Sequence, residues 1–300
     1  MTFLRIGTRR SKLALAQVEE VRRLLAVHDV GVEVVPMTTS GDEGATAADS
    51  PQGLKGLWID TILDALESGD IDVAVHSAKD LPAEDDEGFV IAAVPPRAEP
   101  WDVLVTREPG ALPAGAAIGT SALRRRAQLL AGFPGVTVQD LRGNVDTRLR
   151  KVAEGEVDAA VLAAAGLARL GVSPANATPL PLTVMVPAPG QGCLALQCRG
   201  EDESAREALA PLDHAESHAA LDAERSVMWR LGGGCALPLG AYAEPIDGGL
   251  RVTAVIAMPD GSEILRVERS AETPEGVAAL VAKDLIDGGA ERILDEARVR

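Results

Sequence analysis

Pro95-Pro96-Arg97-Ala98-Glu99-Pro100 decides how this chain is to be read. Three prolines in six residues can neither propagate a helix nor sit inside a sheet ladder, so the segment is a crossing between two bodies. Before it runs one α/β series: strand-like Phe3–Gly7, a helix from the N-cap candidate Ser11 through Ala26, strand-like Val32–Met37, a helix over Leu57–Glu67 stopped at Gly69, and buried strands at Ile71–His76 and Val90–Val94. After it runs a second: strands Val103–Thr106 and Ala116–Gly119, a helix from Ser121, strand Val136–Leu141, a helix from Asn144 and strand Val157–Leu162. Val186-Pro187-Ala188-Pro189-Gly190-Gln191-Gly192 then breaks the pattern again, before strand-like Leu194–Cys198 and helices over Glu203–Leu209 and Ala215–Leu231. Two such crossings around one α/β series mean that the chain leaves its first domain and later returns to it. This predicts two hinged lobes around a cleft. From Leu239 the residues alternate like antiparallel strands (Leu239–Glu244, Leu250–Ala257, Ile264–Arg269), with a turn at Pro259-Asp260-Gly261 and closing helices at Pro274–Ile286 and Ala290–Ala297. The predicted division is residues 1–96 with 190–212 as domain 1, residues 100–187 as domain 2, and residues 213–300 as a small α+β domain 3 with an antiparallel sheet.

Composition narrows the function. A formal net charge of −16 over 300 residues disfavours nucleic acid as a partner, because neutralising phosphates needs clustered cations. The cations are nevertheless uneven: residues 1–28 carry six Lys/Arg against two Glu, and residues 119–150 carry six Arg against two Asp. Positive islands in an acidic chain suit a cleft for a small anion, although two solvated helix faces would look the same by charge alone. Three cysteines with no CxxC pair argue against a disulfide framework and against zinc, so no metal is expected. The N-terminus has no secretory pattern and no apolar run is long enough to span a bilayer, so a cytoplasmic protein without membrane partners is expected.

The chemistry-bearing residues gather at the ends of predicted strands and at helix starts, where open α/β sheets collect their ligands. Arg9 and Arg10 follow the first strand; Arg124, Arg125 and Arg126 open a helix after Gly119-Thr120-Ser121; Arg142 and Arg148 flank Gly143-Asn144. Arginine forks at helix N-termini match carboxylates. Lys79-Asp80 stands at the end of a buried strand, where an aspartate can move protons or stabilise a developing cation, or merely cap a turn before Pro82. Gly232-Gly233-Gly234-Cys235 presents a thiol on a glycine loop. It reads as a packing residue, a nucleophile, a metal ligand, an oxidation site or a covalent anchor, and no histidine partner for a nucleophile is evident.

Seven segments in this order resemble the porphobilinogen deaminase (hydroxymethylbilane synthase) family over essentially the whole chain: residues 5–17 (RIGTRRSKLALAQ), 73–82 (VAVHSAKDLP), 119–129 (GTSALRRRAQL), 141–149 (LRGNVDTRL), 165–171 (AGLARLG), 187–199 (PAPGQGCLALQCR) and 232–244 (GGGCALPLGAYAE). The resemblance implies a fold of two periplasmic-binding-protein-like lobes plus the third domain. It implies a transferase of tetrapyrrole and heme biosynthesis that joins four porphobilinogen units head to tail, with loss of ammonia, into the linear tetrapyrrole hydroxymethylbilane. It implies a dipyrromethane cofactor held through a thioether to Cys235, and Asp80 and Lys79 as catalytic residues, the aspartate stabilising the azafulvenium cation and the lysine giving hydrogen-bonding support. Ser11, Ser77 and Thr120 would be hydrogen-bonding partners, and Arg9, Arg124, Arg125, Arg142, Arg148 and Arg169 the cations that hold acetate and propionate groups. Lys55 and Trp58 would belong to a loop over the cleft, and the working form would be a monomer.

Some positions depart from the family pattern. Ala122 replaces a serine, Asp146 adds an acid beside an anion site, and Asp60 stands in a stretch that is usually basic or neutral. The competing expectation is a two-lobed anion-binding or sensor protein without catalysis, which accounts for the lobes and the arginines but not for Cys235 or Lys79-Asp80.

Overall fold

The computed structural model describes residues 2–38, 56–84, 87–110, 112–232 and 237–299. Lys55 and Cys235, and the side chain of Trp58, lie outside the described residues. The chain divides into two compact units, one built from Met1–Ala98 with Cys193–Leu221, the other from Glu99–Gly192, Asp222–Gly232 and Ala236–Arg300.

In the first unit, β1 (Phe3–Arg9) leads into α1 (Lys12–Ala26), followed by β2 (Gly31–Met37), α2 (Gly56–Glu67), β3 (Val73–Ser77) and β4 (Phe89–Ala93). Ser11 caps α1 through its hydroxyl, which accepts the Ala14 N–H at 3.2 Å. Val18, Val21 and Leu25, at helical spacing, are fully buried under the sheet with Leu4, Ile6 and Val73. The strand order is β2-β1-β3-β10-β4, where β10 is Leu194–Arg199. β1 runs parallel to β2 and β3, whereas β10 is antiparallel to β3 and β4. The strand that follows the second crossing therefore completes the first sheet.

The second unit repeats that plan. Its elements are β5 (Asp102–Thr106), β6 (Ala117–Gly119), α3 (Leu123–Gly132), β7 (Thr137–Gln139), α4 (Val145–Ala153), β8 (Ala159–Ala163), α5 (Ala164–Arg169) and β9 (Ala177–Pro179). The order is β7-β6-β8-β5-β9, with β6 parallel to β7 and β8, and β5 antiparallel to β8 and β9. Each sheet thus has three parallel strands, then one antiparallel strand that follows a crossing, then a fifth that runs with the first three. The helix expected from Ser121 starts two residues later, at Leu123. Ser121 donates its hydroxyl to the Leu141 carbonyl at 2.8 Å instead of capping, and the Thr120 hydroxyl accepts the Ala122 N–H at 3.2 Å.

After α6 (Glu203–Leu209) and α7 (Ala215–Arg230), strands β11 (Leu239–Ile246), β12 (Gly249–Ala257) and β13 (Ile264–Ala271) form an antiparallel sheet with register Tyr242↔Thr253 and Thr253↔Glu268. Helix α8 (Pro274–Asp287), capped by Thr273, buries Val277, Val281 and Leu285, and α9 (Ala290–Val299) follows it. The architecture is therefore mixed α/β: two five-stranded sheets and a small antiparallel three-stranded sheet. The buried Glu224 carboxylate on α7 accepts N–H bonds from Gly190 at 2.6 Å and Ala243 at 2.7 Å, and Ala241 N–H reaches the Pro187 carbonyl at 3.0 Å. These bonds join the second crossing to β11.

Candidate active site

In the first unit, β1 and β3 are parallel with Ile6 opposite Val73, so their carboxyl ends lie on one edge of the sheet. That edge brings Thr8, Arg9 and Ser11 together with His76, Ser77 and Asp80, and all six line one cleft. Past β3 the chain makes a single 3₁₀ turn, Ala78–Asp80, closed by Leu81 N–H to the Ala78 carbonyl at 3.2 Å. Ala78 and Leu81 are buried, and Ala78 N–H donates to the Cys193 carbonyl on the neighbouring chain segment at 3.1 Å. The turn is thereby pinned at both ends while Lys79 and Asp80, between the pinned residues, stay half-buried. Asp80 is the acidic residue of the cleft lining.

Gln17 also lines this cleft, buried on α1, and its amide donates to Ser77 Oγ at 2.7 Å. Sequence reasoning did not single it out. The signal was present, since Gln17 shares the buried stripe of Ala14, Val18 and Val21 and a polar side chain on such a stripe needs a partner.

In the second unit, the corresponding edge carries Thr120, Ser121, Arg124 and Arg125, but the two arginines are deeply buried, at 5% and 6% exposure. Both hold one carboxylate. Arg124 Nη1 donates to Asp102 Oδ2 at 2.7 Å, and Arg125 donates through Nε at 3.0 Å and Nη2 at 2.7 Å to Asp102 Oδ1. Gln191 adds a bond from Nε2 to Oδ1 at 3.1 Å. Burial alone would raise the Asp102 pKa, but the two guanidinium groups outweigh it and hold the carboxyl well below its ordinary range. The same burial lowers the Arg124 pKa. Asp102 was not among the sequence candidates, because an acid at the start of an apolar strand has no sequence mark that distinguishes it from a surface residue.

Arg142 is different: its side chain is 75% exposed and its Nε donates to Asp140 at 2.9 Å. The Ser121 hydroxyl, then Arg142, hold the Asp140 carboxyl below its ordinary range. Arg148 is half-buried on α4, donates to the Gly143 carbonyl at 2.7 Å, and has its pKa lowered by burial and by the like charge of Arg125. Arg169, in the last turn of α5, donates to the Gly192 carbonyl at 3.1 Å. Asp146 and Asp60 are exposed. Cys193 and Cys198 are buried in apolar clusters, and burial pushes the Cys198 thiol up to about 11, which disfavours a thiolate there.

Residues 4–207 match the family model described as porphobilinogen deaminase, dipyromethane cofactor binding domain, and residues 219–287 match porphobilinogen deaminase, C-terminal domain. The chain belongs to the porphobilinogen deaminase family. It is 44% identical over 300 residues to the porphobilinogen deaminase of Acidithiobacillus ferrooxidans (strain ATCC 53993 / BNL-5-31), covering 98% of each chain. It is 44% identical over 298 residues to that of Syntrophotalea carbinolica, covering 97% of this chain and 95% of the relative. Among solved structures, a putative methionine-binding lipoprotein from Bacillus subtilis is 12% identical, aligns with 73% of this chain and 92% of its own, and gives a TM-score of 0.43, too low a likeness to add to the assignment.

Porphobilinogen deaminases are transferases, and the matched domain is the one that holds the dipyrromethane cofactor. The residues present fit such a group. Its carboxylates call for cations with unused donors, and the bonds that Arg124 gives among the described residues all run through Nη1, leaving its Nε/Nη2 edge. One carboxylate between two guanidinium groups also leaves a buried positive charge unmatched, the condition for taking up an anion. Among the described residues no cluster of His, Cys, Asp and Glu could hold a metal ion, and no helix is long and apolar enough to cross a membrane.

Proposed function

We propose that this chain joins four porphobilinogen units into hydroxymethylbilane at the first-unit cleft, with Asp80 as the catalytic carboxylate. The observation that carries the reading is the composition of that cleft, in which the Asp80 side chain lies among Arg9, Ser11, Gln17, His76 and Ser77. The C–N bond of the protonated aminomethyl group breaks, its electron pair leaves with ammonia, and the pyrrole nitrogen lone pair stabilises the azafulvenium cation left on the substrate. Asp80, held in a pinned turn, stabilises that cation at the pyrrole N–H and takes up the ring proton released once the new carbon–carbon bond has formed. Lys79 and Arg9 hold substrate carboxylates, with Ser11 and Ser77 donating hydrogen bonds. Gln17 keeps Ser77 in place. A dipyrromethane bound at Cys235 supplies the nucleophilic pyrrole carbon. Thr120, Arg124, Arg125, Arg142, Arg148 and Arg169 bind its acetate and propionate groups and those of the added units, and Lys55 and Trp58 cover the cleft.

In this reading residues 1–96 with 190–212, 100–187 and 213–300 act as three domains, and the enzyme works as a monomer in the cytoplasm without nucleic-acid or membrane partners. The net charge of −16 supports the lack of a nucleic-acid partner.

The mass of the intact, purified chain tests the tether. The expected result is the chain mass plus two linked pyrroles, lost in Cys235→Ser. A bare-chain mass in the active parental protein overturns the tether. Asp80→Asn tests the acid: turnover is expected to collapse with the fold retained, and near-parental turnover rejects the assignment.

A further inference from the structure

We infer that Asp102 is a positioning residue for anion binding: it fixes the planes of Arg124 and Arg125 so that their remaining N–H edges meet ligand carboxylates in one orientation. The inference rests on the reading of these two arginines as carboxylate-binding groups. It starts from saturation. Asp102 is fully buried, Oδ1 accepts three bonds, two from Arg125 and one from Gln191, and Oδ2 accepts from Arg124. Both oxygens are engaged and shut off from solvent, so Asp102 acts only through the groups that hold it.

The second step is geometry. Arg125 spends its bidentate Nε/Nη2 edge on Asp102 and its Nη1 on the Val161 carbonyl at 2.9 Å. Arg124 spends Nη1 on Asp102 and on the Val186 carbonyl at 2.6 Å. Two bonds in different directions fix each planar guanidinium in rotation and in tilt. The frame behind them is equally fixed. Gln191 also donates to the Pro100 carbonyl at 2.7 Å, and Gln128 bonds both the N–H and the carbonyl of Val186.

The third step is energetic. A buried ion cluster is a poor stabiliser compared with apolar residues of similar volume, and here a single carboxylate leaves one of two cations unmatched. Stability does not account for such an arrangement. A ligand that brings its own carboxylate does.

The test compares Asp102→Asn, Arg125→Gln and the double variant in the full chain. It reads two quantities on the folded fraction: the share of chains carrying the dipyrromethane mass increment, and KM for porphobilinogen. Asp102→Asn keeps the shape and one acceptor oxygen. Primer occupancy should fall and KM rise by about tenfold, the scale of losing one charge-assisted hydrogen bond. The double variant should be no worse than the more impaired single, because both act on one unit. Full occupancy and parental KM in folded Asp102→Asn, with Arg125→Gln impaired, overturns the positioning role and leaves the arginine reading standing. Parental behaviour in Arg125→Gln as well removes the arginine reading and the inference with it. If Asp102→Asn does not fold, Asp102→Glu keeps the charge and moves the carboxylate by one methylene: lowered occupancy at parental Tm supports the inference, and full occupancy overturns it.

Discussion

The two five-stranded sheets share one plan and place their aspartates in opposite surroundings. In the first, Asp80 follows a parallel strand on a pinned 3₁₀ turn, half-buried and facing a cleft. In the second, Asp102 opens the antiparallel strand, fully buried, with both oxygens taken by arginines. An acid that does chemistry needs an approachable oxygen, whereas an acid that orients cations needs none. The same fold supplies both, because an antiparallel strand starts at the edge where its parallel neighbours end: Asp102 stands opposite Ala163, the last residue of β8, and burial is what separates it from Asp80.

The contrast can be broken at either acid. Asp80→Asn should lower kcat by about a hundredfold or more while shifting Tm by only a few degrees, since an acid–base group contributes on the order of 10²–10⁴-fold. Single-turnover kinetics beside a thermal melt checks this. Asp102→Ala should do the reverse in stability, costing about 3–5 kcal/mol in denaturant unfolding because it leaves two buried cations without a counter-charge. If Asp80→Asn proved the more destabilising of the two, the assignment of roles would be reversed.

Acid unfolding sharpens the difference. The folded-state pKa of Asp102 lies below its unfolded value of about 3.9, so its contribution is fully present above that value and is lost as pH falls through the folded one. The denaturation midpoint of the parental chain should therefore drop steeply below about pH 4, and that of folded Asp102→Asn should drop less. Parallel curves would show that Asp102 gains nothing from its arginines.

Smaller effects mark the periphery. Ser11→Ala should remove about 1 kcal/mol through the lost N-cap of α1, read as a lower urea midpoint. Asp140→Asn, at an exposed pair with Arg142, should change stability by about 0–1 kcal/mol, and an effect as large as that of Asp102→Ala would erase the distinction between the buried and the exposed arginines.

Much of this was legible in the residues themselves. Prolines at 95, 96 and 100 and at 187 and 189 marked the crossings because proline excludes ladder and helix alike. Strand ends pointed to Arg9 and Lys79-Asp80, and the cleft in the first unit gathers Arg9 and Asp80. What escaped had no local period. Helix α5 is six residues long, contains Gly166 and continues from β8 without a turn, so it resembles the end of a strand. β9 is three residues at a sheet edge and ends in proline. The burial of Arg124 and Arg125 depended on an aspartate about twenty residues away, and the displaced start of α3 depended on Ser121 finding the Leu141 carbonyl. Both are tertiary facts that propensity cannot encode.

The strand exchange at the crossings has a consequence for synthesis. The second sheet uses strands from Asp102 to Pro179 and is complete once that stretch has left the ribosome. The first sheet cannot be, because β10, at Leu194–Arg199, fills the place between β3 and β4. Domains made first usually fold first. Here the first sheet must wait, with a gap between β3 and β4, until every strand of the second sheet has been translated.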